Sequence, residues 1–190
     1  MFKAMGKVIS LESLKNQKAA QRGFREWRRL FKSPAMLDEH TRWSDLPDEL
    51  ILFLAEDDEE GRAIINDLVM GSLDLGKGFE FESLPPEKLL PLLDVYFLLI
   101  DHIRFECMRR LGWIQEVPSA DQSIITMIRK FDHAVYPSLS GFPKLTPKHP
   151  GFPEYCRLTD IDQRVYIRKA IPEAVKQFKE KVKTEANSFN

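Results

Sequence analysis

The sequence predicts an all-α protein, a single-domain irregular bundle of about six or seven helices around a long central helix. Three observations favour this class. Apolar residues recur at helical spacing, prolines and small polar residues stand where helices begin, and strand-like alternation is confined to residues 79–82. A chain of 190 residues with 43% hydrophobic residues can bury one sizeable core, so we expect one domain over 1–190.

The N-terminal part of the chain is predicted to hold three helices. The first runs from about residue 11 to residue 32 and ends at Ser33-Pro34. Pro47 and the acids after it predict a second helix that reaches Ala55. The acidic run 56–60 then caps a third helix, whose apolar face comprises Ile64, Ile65, Leu68 and Val69.

The rest of the chain is predicted to be helical on both sides of a proline-rich segment. Pro85-Pro86 opens the central helix, which we expect to span 86–114. Ser119 and Gln122 form a capping box for a helix over about 120–136. Thr159 and Asp162 begin the last helical region, which Pro172 is expected to interrupt.

The proline-rich segment, 137–158, contains five prolines and is the longest stretch without a helical pattern. Fixed proline dihedrals lower the entropic cost of holding such a segment in place. We therefore expect an ordered segment that wraps around the helices, and not a flexible linker.

Composition narrows the class of protein. Cys107 and Cys156 are far apart and no secretory signal opens the chain, so a reducing, cytoplasmic setting is expected. The longest apolar stretch, 89–100, is too short for a transmembrane segment. A net charge of −1 and the lack of nucleic-acid-binding motifs argue against a nucleic-acid partner.

Charge is nevertheless unevenly distributed. Residues 1–32 hold nine Lys/Arg and two Glu, whereas residues 33–100 hold four Lys/Arg and sixteen Asp/Glu. Within the first helix, basic residues at spacings of three and four form a straight line, here called the basic line: Lys15, Lys18, Arg22, Arg25 and Arg29. The opposite face carries Ala20, Phe24, Trp27 and Phe31.

The basic line admits two interpretations. It can be a solvated outer face, or it can bind an acidic surface in the same chain, in a second copy or in another protein. Nucleic acid and an anionic membrane surface are weaker alternatives, since membrane binding would compete with packing of Phe24, Trp27 and Phe31. Since no catalytic motif is present, we predict a non-enzymatic interaction or regulatory protein that uses this line for a protein partner or self-association, possible homodimerisation included.

The central helix carries a polar stripe beside its apolar face. Helical spacing predicts the ion pairs Asp101–Arg104, His102–Glu106 and Glu106–Arg110, lying along a solvated edge. Cys107 falls on the apolar side and is expected to be a core thiol.

The alternative function is a helical metal-binding or hydrolytic protein. A His and a Glu four residues apart project from one helix face and can share a divalent metal. However, neither Glu-x-x-His nor His-Glu-x-x-His occurs, and otherwise no cofactor is expected. The residues that this alternative would use are Asp94, Asp101, His102, Glu106, Asp132 and His133.

Overall fold

The computed structural model describes residues 10–31, 37–115, 117, 119–131 and 142–188. Within these ranges the protein is an all-α helical bundle, as predicted, and no described helix is both long enough and apolar enough to cross a membrane. The α-helices are α1 (Leu11–Gly23), α2 (Arg25–Leu30), α3 (Asp48–Ala55), α4 (Glu59–Leu73), α5 (Pro86–Arg110), α6 (Ile124–Arg129), α7 (Phe152–Tyr155) and α8 (Asp160–Ser188). Short 3-10 helices cover Trp43–Asp45 and Gly78–Ser83.

The main core is centred on α4, which packs against α1, α2, α3, α5 and α6, and it also includes Phe178 of α8. Phe24 and Trp27 are fully buried there, their rings in edge-to-face contact with centroids 5.3 Å apart. Ile65, Leu68 and Leu99 are equally inaccessible. Each such side chain contributes about 1.5–3 kcal/mol by leaving water, so the aromatic face of the first helices anchors them to the bundle.

A second core cluster lies at the far end of α5, between α5, α8 and the segment after residue 142. It contains Phe105, Met108, Trp113, Leu145 and Ile171. Ile114 and Leu145 form an isolated antiparallel bridge, and the Thr146 amide donates to the Trp113 carbonyl at 2.8 Å. Residues 142–158 are therefore packed, while 132–141 lie outside the described residues.

Several predicted helix bounds were wrong. The predicted helix over 11–32 is divided at Phe24, and the central helix ends at Arg110, just before Gly112 with φ +75°. The cap of α6 is Ser123, whose Oγ accepts from the Thr126 amide at 3.2 Å, because Ser119 adopts φ +68° in a preceding turn. The strand-like alternation over 79–82 lies within a 3-10 helix.

The last helix passes through Pro172 instead of being interrupted there. Ile171 and Ala174, on either side of the proline, are both buried, and Phe178 continues the same face. Packing of this face on α5 outweighs the backbone hydrogen bond that the proline cannot donate. The proline itself is on the exposed side.

Candidate functional site

The basic line lies on the outer face of α1 and α2. The Ser10 hydroxyl caps α1 by accepting from the Ser13 amide at 3.1 Å. Burial of Ala19, Ala20, Phe24 and Trp27 on the inner face turns the basic side chains outward. Four members of the line are exposed and Arg22 is half-buried.

Part of the basic line borders a groove of about 340 Å³ between α1, the end of α4 and α6. The groove, here called the basic groove, is lined by Lys15, Lys18, Arg22, Ser72, Leu73 and Arg129. Arg22 is fixed by its Nε, which donates to the Gly71 carbonyl at 3.0 Å and lies 3.2 Å from Asp74. Arg129 is held by Glu12 and Asn16 of α1.

Lys15 and Lys18 differ from these two arginines. Neither forms an ion pair within the part of the chain that the structure describes. Leu11 and Leu14, one turn earlier on the same helix, are exposed by 69% and 41%. The start of α1 therefore presents two ammonium groups beside exposed apolar surface.

The acidic part of the chain pairs chiefly with other elements. Lys181 of α8 lies 3.1 Å from Asp48, Lys179 contacts Glu56, and Arg104 of α5 lies 3.3 Å from Asp57. In the basic line, Arg25 and Arg29 contact Glu26 of their own helix at 3.5 and 2.8 Å. Only Arg22, through Asp74, reaches the acidic region among the described contacts.

The second polar site is a buried cluster at the C-terminal end of α5. Glu106 is only 4% exposed, and its carboxylate accepts from Arg109 at 2.6 and 2.7 Å and from Arg110 at 2.7 Å. Arg110 also contacts Asp48 and donates to the carbonyls of Trp43 and Leu46 at 3.1 and 2.8 Å. We call these side chains the Glu106 cluster.

Burial and pairing act in opposite directions on Glu106. Burial alone would raise the pKa of its carboxyl group, but hydrogen bonds from Arg109 and Arg110 outweigh burial and hold the pKa below its ordinary value. Glu106 therefore carries a negative charge that is neutralised on both sides. Such a carboxylate acts as a structural acceptor and is poorly suited to proton transfer.

The prediction that the polar stripe follows a solvated edge was wrong for Glu106. It failed because the 3-10 helix at Trp43–Asp45 and the start of α3 cover this side of α5. Glu106–Arg110 does pair, but Asp101 contacts Arg168 and Arg104 contacts Asp57 at 3.3 Å. Partners from distant segments thus replace the local ones that helical spacing suggested.

His102 lies one turn before Glu106 and is half-buried. Burial lowers the pKa of its imidazole to about 4, with Asp101 opposing that change, so the ring is neutral at physiological pH. His102 and Glu106 both line one pocket, but the Glu106 oxygens are already engaged by arginines. Cys107, beside them in sequence, is a fully buried core thiol, as predicted, and burial raises the pKa of that thiol to about 12.

The metal alternative receives no geometric support from the described residues. No three of their His, Cys, Asp and Glu side chains are grouped closely enough to hold an ion. Asp94 is half-buried two turns before His102. Asp132 and His133 lie outside the described residues.

Sequence reasoning missed the most connected residue of the buried cluster. Arg110 was predicted only as the partner of Glu106, yet it also contacts Asp48 and two backbone carbonyls more than 60 positions away. Helical spacing carries no information about such contacts.

Compared with protein families, curated proteins and solved structures, the chain matches none.

Proposed function

We propose that this protein is a non-enzymatic binding protein that docks an acidic protein partner on the basic line of α1. The observation that carries the proposal is the pair Lys15 and Lys18. Both are exposed at the basic groove and have no carboxylate partner within the described residues. Two uncompensated cations in a concave site favour an anionic ligand over an uncharged one.

The neighbouring apolar surface narrows the class of partner that fits this site. Leu11 lies on the same side of α1 as Lys15 and Lys18. Leu14 is displaced from Leu11 by less than a quarter turn around the helix axis. An acidic helix or strand with its own apolar residues would contact both the ammonium groups and the leucines. Apolar contact supplies affinity, while complementary charge supplies orientation and a fast association rate.

The test uses a defined probe, a synthetic helical peptide rich in Glu and Leu, and measures binding by fluorescence anisotropy. We expect the double variant Lys15→Glu/Lys18→Glu to weaken binding about ten-fold or more, because two attractive contacts become repulsive. Its matched control is Lys169→Glu/Lys176→Glu, which makes the same charge change at two exposed positions of α8. The control should bind as the unchanged protein does.

Arg22 is unsuitable for charge reversal because it also bonds Gly71 across the helix crossing. Loss of binding in an Arg22 variant would not separate docking from folding. Lys15 and Lys18 avoid this difficulty. Equal loss of peptide binding in the α1 and α8 variants would refute the proposal, since it would reflect total charge and not the basic line.

The same variants also test self-association. The chain has exposed acidic residues on α4 and at the start of α5, including Glu59, Glu60 and Glu87, that could face the basic line of a second copy. Sedimentation velocity at low and high salt would detect such association. If the unchanged protein forms a salt-sensitive dimer that Lys15→Glu/Lys18→Glu abolishes, the acidic partner is a second copy of this chain.

A further inference from the structure

A second exposed surface lies along the first half of α5, far from the basic groove in sequence. Glu87, Leu90, Asp94 and Phe97 follow one another at spacings of three, four and three, so they share one side of the helix. Leu90 and Phe97 are exposed by 62% and 53%, Glu87 is exposed and Asp94 is half-buried. We call these four residues the acidic-apolar line.

The apolar members of this line form more than isolated exposed positions. Leu90 and Phe97 stand two turns apart on the same helix face, and Leu93, half-buried, lies between them along the axis. Single apolar side chains in water are ordinary on a protein surface, whereas a contiguous set rimmed by polar groups marks a contact surface. We therefore treat this side of α5 as a surface that a partner covers.

Charge restricts the partner that fits the acidic-apolar line. Residues 79–101 hold five Asp/Glu and one Lys. That lysine, Lys88, projects about 100° around the helix from Glu87 and so does not belong to the line. A surface that combines apolar and acidic side chains is complementary to one that combines apolar and basic side chains.

The start of α1 is such a surface on the same protein. Lys15 and Lys18 are about 4.5 Å apart along the axis of α1, and Glu87 and Asp94 are about 10.5 Å apart along α5. An antiparallel arrangement with Lys15 level with Asp94 leaves Lys18 about 6 Å from the level of Glu87. The four-carbon side chain of a lysine spans that distance.

The same arrangement also pairs the apolar ends of the two lines. Leu11 and Phe97 then lie about 1.5 Å apart in height along the helix axes, with both side chains mostly exposed in the single chain. Within one chain α1 packs on α2, α4 and α6, whereas α5 packs on α3, α4 and α8. Since both lines are exposed, they do not cover each other in the same molecule.

We propose that the acidic-apolar line of α5 binds the basic line of a second copy of this chain. The inference rests on the proposed function, because it identifies the acidic partner as the protein itself. The contact joins different surfaces of the two copies, α1 of one to α5 of the other. Two such contacts related by a two-fold axis close a dimer, and otherwise further copies are added.

Sedimentation velocity of the full chain in low salt, at concentrations up to about 0.5 mM, measures this association. We expect Lys15→Glu/Lys18→Glu and Leu90→Ser/Phe97→Ser each to raise the dissociation constant about ten-fold or more. An equimolar mixture of the two variants should associate again, because each variant keeps the line that the other lacks. Misfolded variants could not be rescued by mixing, so failure of the mixture to associate would overturn the inference.

Matched controls separate the acidic-apolar line from general surface properties. Ile161→Ser/Val165→Ser removes two apolar side chains of α8 that are exposed by 67% and 46%, and it should leave association unchanged. Glu87→Lys should weaken association, whereas Glu60→Lys makes the same charge change at an exposed position of α4 and should not. Equal effects within either pair of variants would show that α5 is not the surface in contact.

Failure of this inference is distinguishable from failure of the proposed function. If the unchanged protein stays monomeric over the whole concentration range, the second copy is excluded as the partner. The Glu/Leu peptide reports on α1 alone, so peptide binding that still depends on Lys15 and Lys18 would then leave the proposed function standing. Leu90→Ser/Phe97→Ser should bind that peptide as the unchanged protein does, since its basic line is intact.

Discussion

Arg22 of α1 and Gly71 of α4 define the closest crossing of the two helices that border the basic groove. The Nε of Arg22 donates to the Gly71 carbonyl at 3.0 Å, and a Cβ added at Gly71 would lie 2.8 Å from the Arg22 carbonyl oxygen. The absence of a side chain at Gly71 lets the two backbones approach, and this approach places Arg22 at the groove. One side chain therefore serves both the fold and the basic line.

We predict that Gly71→Ala destabilises the protein by about 1–3 kcal/mol, because the methyl group would overlap the α1 backbone. Helix propensity alone predicts the opposite sign, a gain of about 1 kcal/mol for alanine in a helix interior. Urea unfolding followed by circular dichroism distinguishes the two. An increase in the free energy of unfolding would show that α1 and α4 are not packed this closely.

A second prediction concerns the buried charge of Glu106. Glu106→Gln keeps the shape of the side chain but leaves Arg109 and Arg110 without their shared carboxylate. Losing one partner of a buried ion pair costs about 3–5 kcal/mol. We therefore expect the free energy of unfolding, measured in urea, to fall by an amount close to that range. The matched control, Glu173→Gln at an exposed position of α8, should change stability by less than about 0.5 kcal/mol.

The all-α class was predictable because it depends on local periodicity and caps. The face of α4 at Ile64, Ile65, Leu68 and Val69 is buried as expected, and Asp58 caps this helix by accepting from the Gly61 amide at 2.7 Å. The outward orientation of the basic line followed from the same reasoning, since Phe24 and Trp27 had to face the core. These features could be predicted because they depend only on residues that are neighbours along one helix.

The features that the sequence did not reveal depend on contacts between distant segments. The division of the first helix at Phe24 and the passage of α8 through Pro172 both reflect which faces are packed, and not local propensity. Asp101 and Arg104 have the spacing of a pair, yet they bind Arg168 and Asp57. The pocket lined by His102 and Glu106 likewise arises where residues about 60 and 75 positions apart meet, which no spacing rule anticipates.

A third prediction tests whether the contacts of Arg110 with residues 42–46 stabilise the packing of that segment on α5. Its planar guanidinium binds Glu106, Asp48 and two carbonyls of the 42–46 region at once, a geometry that a lysine ammonium cannot reproduce. We expect Arg110→Lys to destabilise the protein by about 2 kcal/mol or more. Arg109→Lys, which also alters a contact to Glu106 but at a more exposed side chain, should cost less. If Arg110→Lys and Arg109→Lys lower the free energy of unfolding equally, the contacts of Arg110 with the 42–46 region contribute nothing to stability.

The last prediction is a pH dependence of stability caused by His102. Burial lowers the pKa of His102 in the folded protein to about 4, whereas its ordinary value, expected in the unfolded chain, is 6.5. Between these two values the unfolded state binds more protons, so the free energy of unfolding falls as pH decreases from 6.5 toward 4. The loss should be on the order of 2 kcal/mol, a figure reduced because part of the ring is exposed.

His102→Gln should flatten this dependence, since glutamine does not titrate and can still form hydrogen bonds. The window above pH 4.5 separates the histidine from Glu106, whose lowered pKa confines its own contribution to more acidic conditions. His149, whose pKa is also lowered by burial, is present in both proteins and cancels in the comparison. Urea unfolding at several pH values between 4.5 and 7 provides the measurement. Parallel curves for the two proteins would mean that His102 is protonated as readily in the folded state as in water, and that the pocket beside it is open to solvent.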